Sequence, residues 1–136
     1  ELLNESMSVL NWLINVSRGV TSQQVRKTLG QVLFTQDEVE KDILSLSGGE
    51  AARLLLAKVM LESPNVILLD EPTNHMDLET IEALASALLD YPGTVISVSH
   101  NRHFISQFAN RILYFQSKGV LQDFQGSYLE FEQILD

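Results

Sequence analysis

The hydrophobic positions of this chain follow one periodicity before Leu46 and another after it. Before Leu46 the apolar residues recur every three or four positions, which is the spacing of amphipathic helices. One helical face comprises Met7, Leu10, Leu13, Ile14 and Ser17. A second helix is predicted after Thr21, because Thr21 and Gln24 have the spacing of a capping box, and Gly30 falls near its end. The first part, residues 1–45, therefore predicts a small helical subdomain.

After Leu46 the pattern alternates between short apolar runs and helical stretches. Residues 66–69 and 94–99 predict two strands buried on both faces, as in a parallel sheet covered by helices. Helices are predicted over residues 47–61, 78–89 and 102–108, two further strands over residues 111–115 and 120–124, and a last helix after Ser127. Alternating strands and helices predict an α/β fold with a mainly parallel sheet over residues 46–136, with ligand sites at the carboxyl ends of the strands.

Composition and charge narrow the functional classes. With 136 residues, 45% of them apolar, the chain has the size of one domain or of a large fragment of one. The 9 basic and 18 acidic residues give a net charge of −9, which argues against direct binding of DNA or RNA through a broad basic face. The lack of cysteine excludes disulfides and thiolate metal sites.

Nothing in the sequence predicts a membrane span or a secretion signal. No apolar run approaches the roughly 20 residues of a membrane-spanning helix. Residues 1–4 carry no signal-peptide start, so a cytoplasmic location is expected. The first residue is Glu1 rather than Met, which favours a segment of a longer protein.

Two adjacent acids, Asp70 and Glu71, directly follow the apolar run at residues 66–69. A strand that ends in two acids places them at the carboxyl edge of a parallel sheet. Asp70 is suited to hold Mg²⁺, directly or through water. Glu71 is suited to orient and activate a water molecule for attack on a phosphorus atom. Taken alone, the pair also fits an acidic turn that merely follows a strand.

The segment Ser47-Gly48-Gly49-Glu50 opens the helix predicted over residues 47–61. Its two glycines leave backbone N–H groups exposed, and the helix dipole adds positive potential at the same place. The Ser47 hydroxyl adds one more donor. The segment is therefore a candidate site for a terminal phosphate, although an ordinary capping box would have the same sequence.

His100 follows the second predicted strand directly. If the two strands are neighbours, His100 lies near the acids, where an imidazole can donate to a phosphate oxygen or to an attacking water. The alternative is a histidine with a structural hydrogen bond. His75 and His103 are weaker candidates, and a metal site made of the three histidines is disfavoured because their spacing is too wide for a local motif.

In combination, these features resemble the ATP-binding cassette family, strongly over residues 44–136 and loosely over residues 1–43. The matching positions are residues 46–50 for the signature motif, residues 66–70 for the Walker B strand, Glu71 for the catalytic glutamate, Asn74 to Asp77 for the D-loop, and His100 for the switch histidine. The resemblance implies a partial P-loop NTPase core that binds ATP and Mg²⁺ and hydrolyses ATP. It assigns Mg²⁺ to Asp70 and catalysis to Glu71 and His100.

Residues 70–77 are similar to the form of this segment in the F subfamily, ABC-F. Its members are soluble twin-cassette ATPases without membrane domains, many of which act on ribosomes. Transporter cassettes usually carry a Ser-Ala-Leu-Asp-like segment where Asn74 to Asp77 stand. Asn101 and His103 depart from the subfamily pattern, which usually has an aspartate and an aromatic residue there.

The chain contains no Gly-x-x-x-x-Gly-Lys-[Ser/Thr] loop, the segment that cradles the β- and γ-phosphates. In the family's head-to-tail dimer, one cassette supplies this loop, the Walker B strand and the switch histidine, and the other supplies the signature. The resemblance therefore implies that this chain holds parts of two composite sites and needs a second cassette as partner. Residues 50–53 and 126–128 look like the second cassette of a twin-cassette protein, and the isolated chain is expected to be a poor ATPase.

Three functional classes remain open. The first is a translation ATPase with the ribosome as partner, which residues 74–77 favour. The second is the nucleotide-binding subunit of an ABC transporter, coupled to membrane domains through the helical subdomain. The third is a non-catalytic interaction fragment, because the phosphate loop is missing.

Overall fold

The computed structural model describes residues 5–135. Residues 1–4, in which the sequence has no signal-peptide start, lie outside the described part, as does Asp136. The elements are α1 (Val9–Val16), α2 (Ser22–Gln31), α3 (Gly48–Glu62), β1 (Val66–Asp70), α4 (Leu78–Leu89), β2 (Thr94–Val98), α5 (Arg102–Phe108), β3 (Arg111–Phe115), β4 (Leu121–Gln125) and α6 (Tyr128–Leu135). Short 3-10 turns lie at Glu38–Glu40, Ile43–Ser45 and Ser117–Gly119.

Side-chain caps begin four of the helices where the sequence predicts them. Capping boxes form between Thr21 and Gln24 at α2 and between Ser47 and Glu50 at α3. Ser127 and Glu130 exchange the same pair of hydrogen bonds before α6. At α4, a single side chain acts as the cap, because the Asp77 carboxylate accepts the Thr80 N–H at 2.8 Å. Each cap satisfies backbone donors that the first helical turn leaves unpaired.

The strands form two separate pairs. β1 and β2 are parallel, with Val66 opposite Thr94 and Asp70 opposite Val98, and α4 lies between them in sequence. β3 and β4 form an antiparallel hairpin. The prediction of an α/β fold with parallel strands around the acids is confirmed, and the predicted last two strands are confirmed as a hairpin beside them.

One hydrophobic core joins the helices before Leu46 to the elements after it. Its largest fully buried side chains come from both parts of the chain: Val9, Leu13, Val25, Leu29, Leu54 and Phe104. The face that α1 buries also includes Trp12, which the sequence prediction left out. The helical part is therefore packed against the α/β part rather than tethered to it.

One face of the β1–β2 pair is uncovered within the described residues, so the prediction that both faces are buried is wrong for this chain. Side chains alternate between the two faces of a strand. Ile67 is buried in the core, whereas Leu68 beside it is 73% exposed, and Val98 on β2 is 57% exposed. Asp70 is two residues from Leu68 and thus lies on the same uncovered face.

No helix in residues 5–135 is long and apolar enough to cross a membrane.

Candidate functional site

The candidate site lies at the carboxyl ends of β1 and β2. Asp70 is paired in register with Val98, so the chains leave the sheet side by side. The pairing extends one step further, because the Glu71 N–H donates to the Val98 carbonyl at 2.8 Å. This register brings Glu71 and His100 together, although 29 positions separate them in sequence.

The carboxylate of Glu71 contacts His100 through both of its oxygens. Oε2 accepts the His100 backbone N–H at 3.3 Å, and Oε1 lies against Nδ1 of the imidazole. The Glu71 side chain is 24% exposed, whereas that of His100 is 92% exposed. The carboxylate is thus held at the sheet edge, and the imidazole projects beyond it to where a ligand can reach it.

The turn at residues 71–77 fixes the direction of Glu71. Glu71 has φ 45° and His75 has φ 62°, both in the left-handed region that residues with a side chain seldom adopt. Thr73 is buried, and its carbonyl accepts the Met76 N–H at 3.1 Å. Such strain persists only where the surroundings enforce it and is concentrated at functional sites. Here it turns the chain sharply from β1 into α4.

The two predicted D-loop positions lie at the end of this turn. The Asn74 N–H donates to the Glu71 carbonyl at 3.3 Å, and the Asn74 side chain is exposed. Asp77 caps α4, and hydrogen bonds from Thr80 are the main cause that holds its pKa below the usual range. Both residues are exposed, but the Asp77 carboxylate is engaged in the cap of α4.

Asp70 ends β1 with its side chain exposed. Within residues 5–135, no group of three or more histidine or carboxylate side chains converges in a metal cage. A single carboxylate still fits Mg²⁺ delivered with a nucleotide, because that ion usually keeps several waters and takes other ligands from phosphates. Asp70 therefore fits a shared metal and not a closed protein site.

The N-terminus of α3 carries Ser47, Gly48, Gly49 and Glu50. Ser47 Oγ accepts the Glu50 N–H at 3.2 Å, and Glu50 Oε1 accepts the Ser47 N–H at 3.1 Å. A Cβ added at Gly48 or Gly49 would meet no atom within 4 Å. Packing within this chain therefore does not require glycine there, and the surface over both residues is open to an incoming group.

Glu50 is more constrained than the rest of this segment. Its Oε2 also accepts from the Lys41 ammonium at 3.1 Å. The Ser47 backbone N–H is the main cause that lowers the pKa of Glu50; Lys41 adds to the effect and partial burial opposes it. A carboxylate that accepts from both Ser47 and Lys41 is suited to holding the helix start, not to donating to an anion.

The structure thus brings some of the predicted residues together and leaves others apart. Asp70, Glu71 and His100 share one sheet edge. The side-chain hydrogen bonds of Ser47 and Glu50 are within their capping box or to Lys41. His75 lies in the exposed turn, and His103 Nε2 pairs with Glu82 Oε1 at 3.2 Å on the side of α4 and α5.

Arg53 is a residue to which the sequence pattern assigned no role. It lies on α3, one turn after Glu50, and its guanidinium reaches two backbone carbonyls beyond α2. An arginine one turn inside a helix is usually a solvated side chain, so periodicity gave no sign of these contacts. Only the packing of α2 against α3 makes them.

Comparison with known proteins identifies the family. The family model described as ABC transporter matches residues 2–74, which include the start of α3, β1 and the turn after it. The chain belongs to the ATP-binding cassette family.

Relatives of this cassette chain include members of the F subfamily, which confirms that predicted resemblance. The ATP-binding protein YdiF of Bacillus subtilis is 47% identical over 126 residues, which cover 93% of this chain and 20% of that protein. ABC transporter F family member 5 of Arabidopsis thaliana is 38% identical over 94% of this chain and 18% of its own length. The energy-dependent translational throttle protein EttA of Escherichia coli is 41% identical over 85% of this chain and 21% of its own length. The chain therefore spans about a fifth of these relatives.

Solved structures confirm the fold. A bacterial Atm1-family ABC exporter with ATP bound superposes with a TM-score of 0.69 at 22% identity, over 96% of this chain and 24% of that one. A dimeric ATP-binding cassette bound to ADP and phosphate gives a TM-score of 0.67 at 23% identity, over 88% of this chain and 56% of that one. The predicted partial P-loop NTPase core is thus the observed fold.

Proposed function

We propose that this chain is the catalytic and signature part of an ABC-F type cassette, whose parent protein binds Mg-ATP and hydrolyses it. The observation that supports this best is the Glu71–His100 contact at the joint end of β1 and β2, with Asp70 beside it. A carboxylate and an imidazole that converge at this edge of an α/β sheet are suited to positioning water and a phosphate.

In this proposal each residue has one task. Glu71 orients the attacking water and accepts its proton as the oxygen bonds to the γ-phosphorus and the bond to the bridging β–γ oxygen breaks. His100, whose imidazole projects beyond the sheet edge, donates to a γ-phosphate oxygen. Asp70 would hold Mg²⁺, which would supply positive charge next to the phosphate oxygens.

The N-terminus of α3 belongs to a different composite site. Ser47, Gly48 and Gly49 lie at the positive end of a 15-residue helix, where the surface over the two glycines is open and the Ser47 N–H is already bound to Glu50. Their bonds lie within the capping box, with none to Glu71 or His100 among the described residues. A head-to-tail partner cassette would therefore take its γ-phosphate contact from this helix, with the side chain of Asn74 available at the junction.

The uncovered sheet face supports a further part of the proposal. Asp70 shares that face with the exposed Leu68, and Val98 lies on the paired strand. The rest of the cassette, including a phosphate loop, would cover these side chains and close the site over Asp70. Without it, the isolated chain is expected to bind Mg-ATP weakly and to have little ATPase activity.

The cellular task that fits best is a cytoplasmic one in translation. EttA, a translational throttle protein by name, is 41% identical over 115 residues. With a charge of −9, this segment is not suited to grip rRNA itself, so ribosome contacts would come from other parts of the parent protein. Co-sedimentation of the parent protein with purified ribosomes, with and without a non-hydrolysable ATP analogue, tests this assignment.

The hydrolytic role is tested by Glu71→Gln in the parent protein. We expect ATP turnover to fall about 100-fold or more, the range for loss of a general base, while nucleotide binding persists. Glu62→Gln, an exposed carboxylate at the end of α3 that pairs with Lys58, is the matched control and should retain turnover. Unchanged turnover in Glu71→Gln would remove the general-base assignment.

A further inference from the structure

Arg53 anchors the end of α2 from a neighbouring helix. Its Nη1 donates to the carbonyls of Val32 at 2.9 Å and Leu33 at 3.1 Å, just after α2 ends. The last carbonyls of a helix lack intrahelical donors and carry the negative end of its dipole. α2 has no basic residue in its own last turn. Arg53 supplies from α3 the cation that α2 lacks.

The guanidinium of Arg53 is held in place by an aromatic ring. It stacks 4.9 Å from the ring centroid of Phe34, which is 5% exposed and belongs to the core. The backbone before that ring is turned back at Leu33, which has φ 63°, and the Phe34 N–H returns to the Leu29 carbonyl at 2.9 Å. A planar cation stacked on a ring and bonded to two carbonyls is well ordered.

Arg53 also lines an open cavity of about 420 Å³ together with residues at the start of α4. The lining comes from the end of α2 and the segment after it, from Arg53 on α3, and from the start of α4. Arg53 is the basic residue of this lining, which it shares with the carboxylates of Glu38, Asp77 and Glu79. The nearby charge of Arg53 also contributes, after the hydrogen bonds from Thr80, to lowering the pKa of Asp77. Without Arg53, the cavity would bring three like charges together with no cation between them.

We propose that Arg53 is a positioning residue that couples the α2–α3 pair to the turn at residues 71–77. The same helix that begins with Ser47 thereby holds the segment that begins with Glu71. This inference rests on the proposed function where it concerns catalysis, since Ser47 and Glu71 serve different composite sites. Arg53 would keep the two sites of one cassette in a fixed relation.

Hydrogen exchange in the parent protein tests the coupling without reference to activity. In Arg53→Gln, we expect peptides covering residues 72–82 to exchange at least about threefold faster, because the Asp77 cap on the Thr80 N–H loosens. Lys58→Gln is the matched control, because Lys58 lies on the same helix and pairs with Glu62, away from the cavity. Faster exchange confined to residues 30–35 would mean that Arg53 has only a local role and would overturn the proposal.

Arg53→Lys separates the charge from the geometry. Lysine keeps the cation in the same lining as the three carboxylates but loses the planar fork and its stacking. In this variant we expect the hydrogen-exchange rate of residues 72–82 to stay within about twofold of the rate in the protein with Arg53 in place. If Arg53→Lys loosens those residues as much as Arg53→Gln does, the electrostatic coupling is refuted. If Arg53→Gln does not fold, the lysine variant decides the proposal by itself, because exchange over residues 72–82 more than about twofold faster than in the unsubstituted protein would refute it.

Steady-state kinetics then connect the coupling to catalysis. In the folded Arg53→Gln protein, we expect kcat for ATP hydrolysis to fall about tenfold with KM within about twofold, since geometry and not ground-state binding is disturbed. A folded variant with unchanged kcat would refute the catalytic part. If Glu71→Gln also left turnover unchanged, the proposed function would fail, while the exchange data would still decide the role of Arg53.

Discussion

The Glu71 carboxylate is bound by both the backbone N–H and the imidazole of His100, at the point where β1 and β2 end together. Strand register brings the two residues together. Asp70 lies opposite Val98, Glu71 is one residue beyond Asp70, and His100 is two residues beyond Val98. A potential general base is therefore already paired with the exposed residue that an incoming phosphate would meet first.

Replacement of His100 should slow hydrolysis more than it weakens binding. For His100→Ala in the parent protein we expect kcat to fall about 100-fold, the range for loss of one donor to a developing charge, with a smaller change in KM. His75→Ala and His103→Ala are matched controls, because one lies in the exposed turn and the other pairs with Glu82. Equal losses in all three variants would contradict a special role for His100.

The uncovered sheet face should make the isolated chain prone to self-association. Leu68→Lys introduces a charge on that face, where the side chain is 73% exposed, and should raise the soluble monomer fraction measured by size-exclusion chromatography. In the parent protein the same change should lower the melting temperature, because a covered leucine site would then hold an unpaired charge. A parent protein that tolerates Leu68→Lys without loss of stability would show that the face stays open there.

The capping box of α3 should contribute measurably to stability. In the isolated chain carrying Leu68→Lys, Ser47→Ala should lower the free energy of unfolding by about 1 kcal/mol, because the Glu50 N–H loses its acceptor. Ser47→Thr keeps a hydroxyl at the cap, so its free energy of unfolding should stay close to that of the Leu68→Lys chain. Urea unfolding followed by circular dichroism measures both, and equal losses would indicate that the hydroxyl is not the stabilising group.

The free energy of unfolding should fall in acid, as carboxyl groups whose pKa is lowered in the fold take up protons. The carboxylates whose pKa is lowered in the fold are Asp42, Glu50, Asp77, Asp123 and Glu130. A pKa below its unfolded value means that the folded state binds fewer protons, so the stabilisation is complete above the unfolded pKa of about 4 and disappears as the pH falls below it.

Glu50→Gln isolates one of these groups. The Ser47 backbone N–H is the main cause of its low pKa, with Lys41 adding to it. At pH 7 the free energy of unfolding of the Glu50→Gln variant should lie below that of the same protein with Glu50 in place. The difference should shrink as the pH is lowered from about 5 to about 3. A difference that stays constant over this range would mean that the carboxylate charge is not what stabilises the fold.

Much of the secondary structure follows from short stretches of sequence. The helix after Ser47 and the helix after Asp77 begin where the sequence predicts, because each cap is made between residues three positions apart. The order of the acids and His100 after two strands likewise predicted their meeting at one edge.

The sequence by itself therefore determined the helix starts, the strand positions to within one residue and the family, because these depend on local hydrogen bonds and on the order of a few residues. Only the tertiary structure decided that Glu71 binds His100, that Leu68 lies on an open face, and that Arg53 reaches α2 and lines a cavity with the start of α4. These features depend on strand register, on which face is covered and on the contact between helices. Each of these is a pairing between distant segments, and no local pattern encodes it.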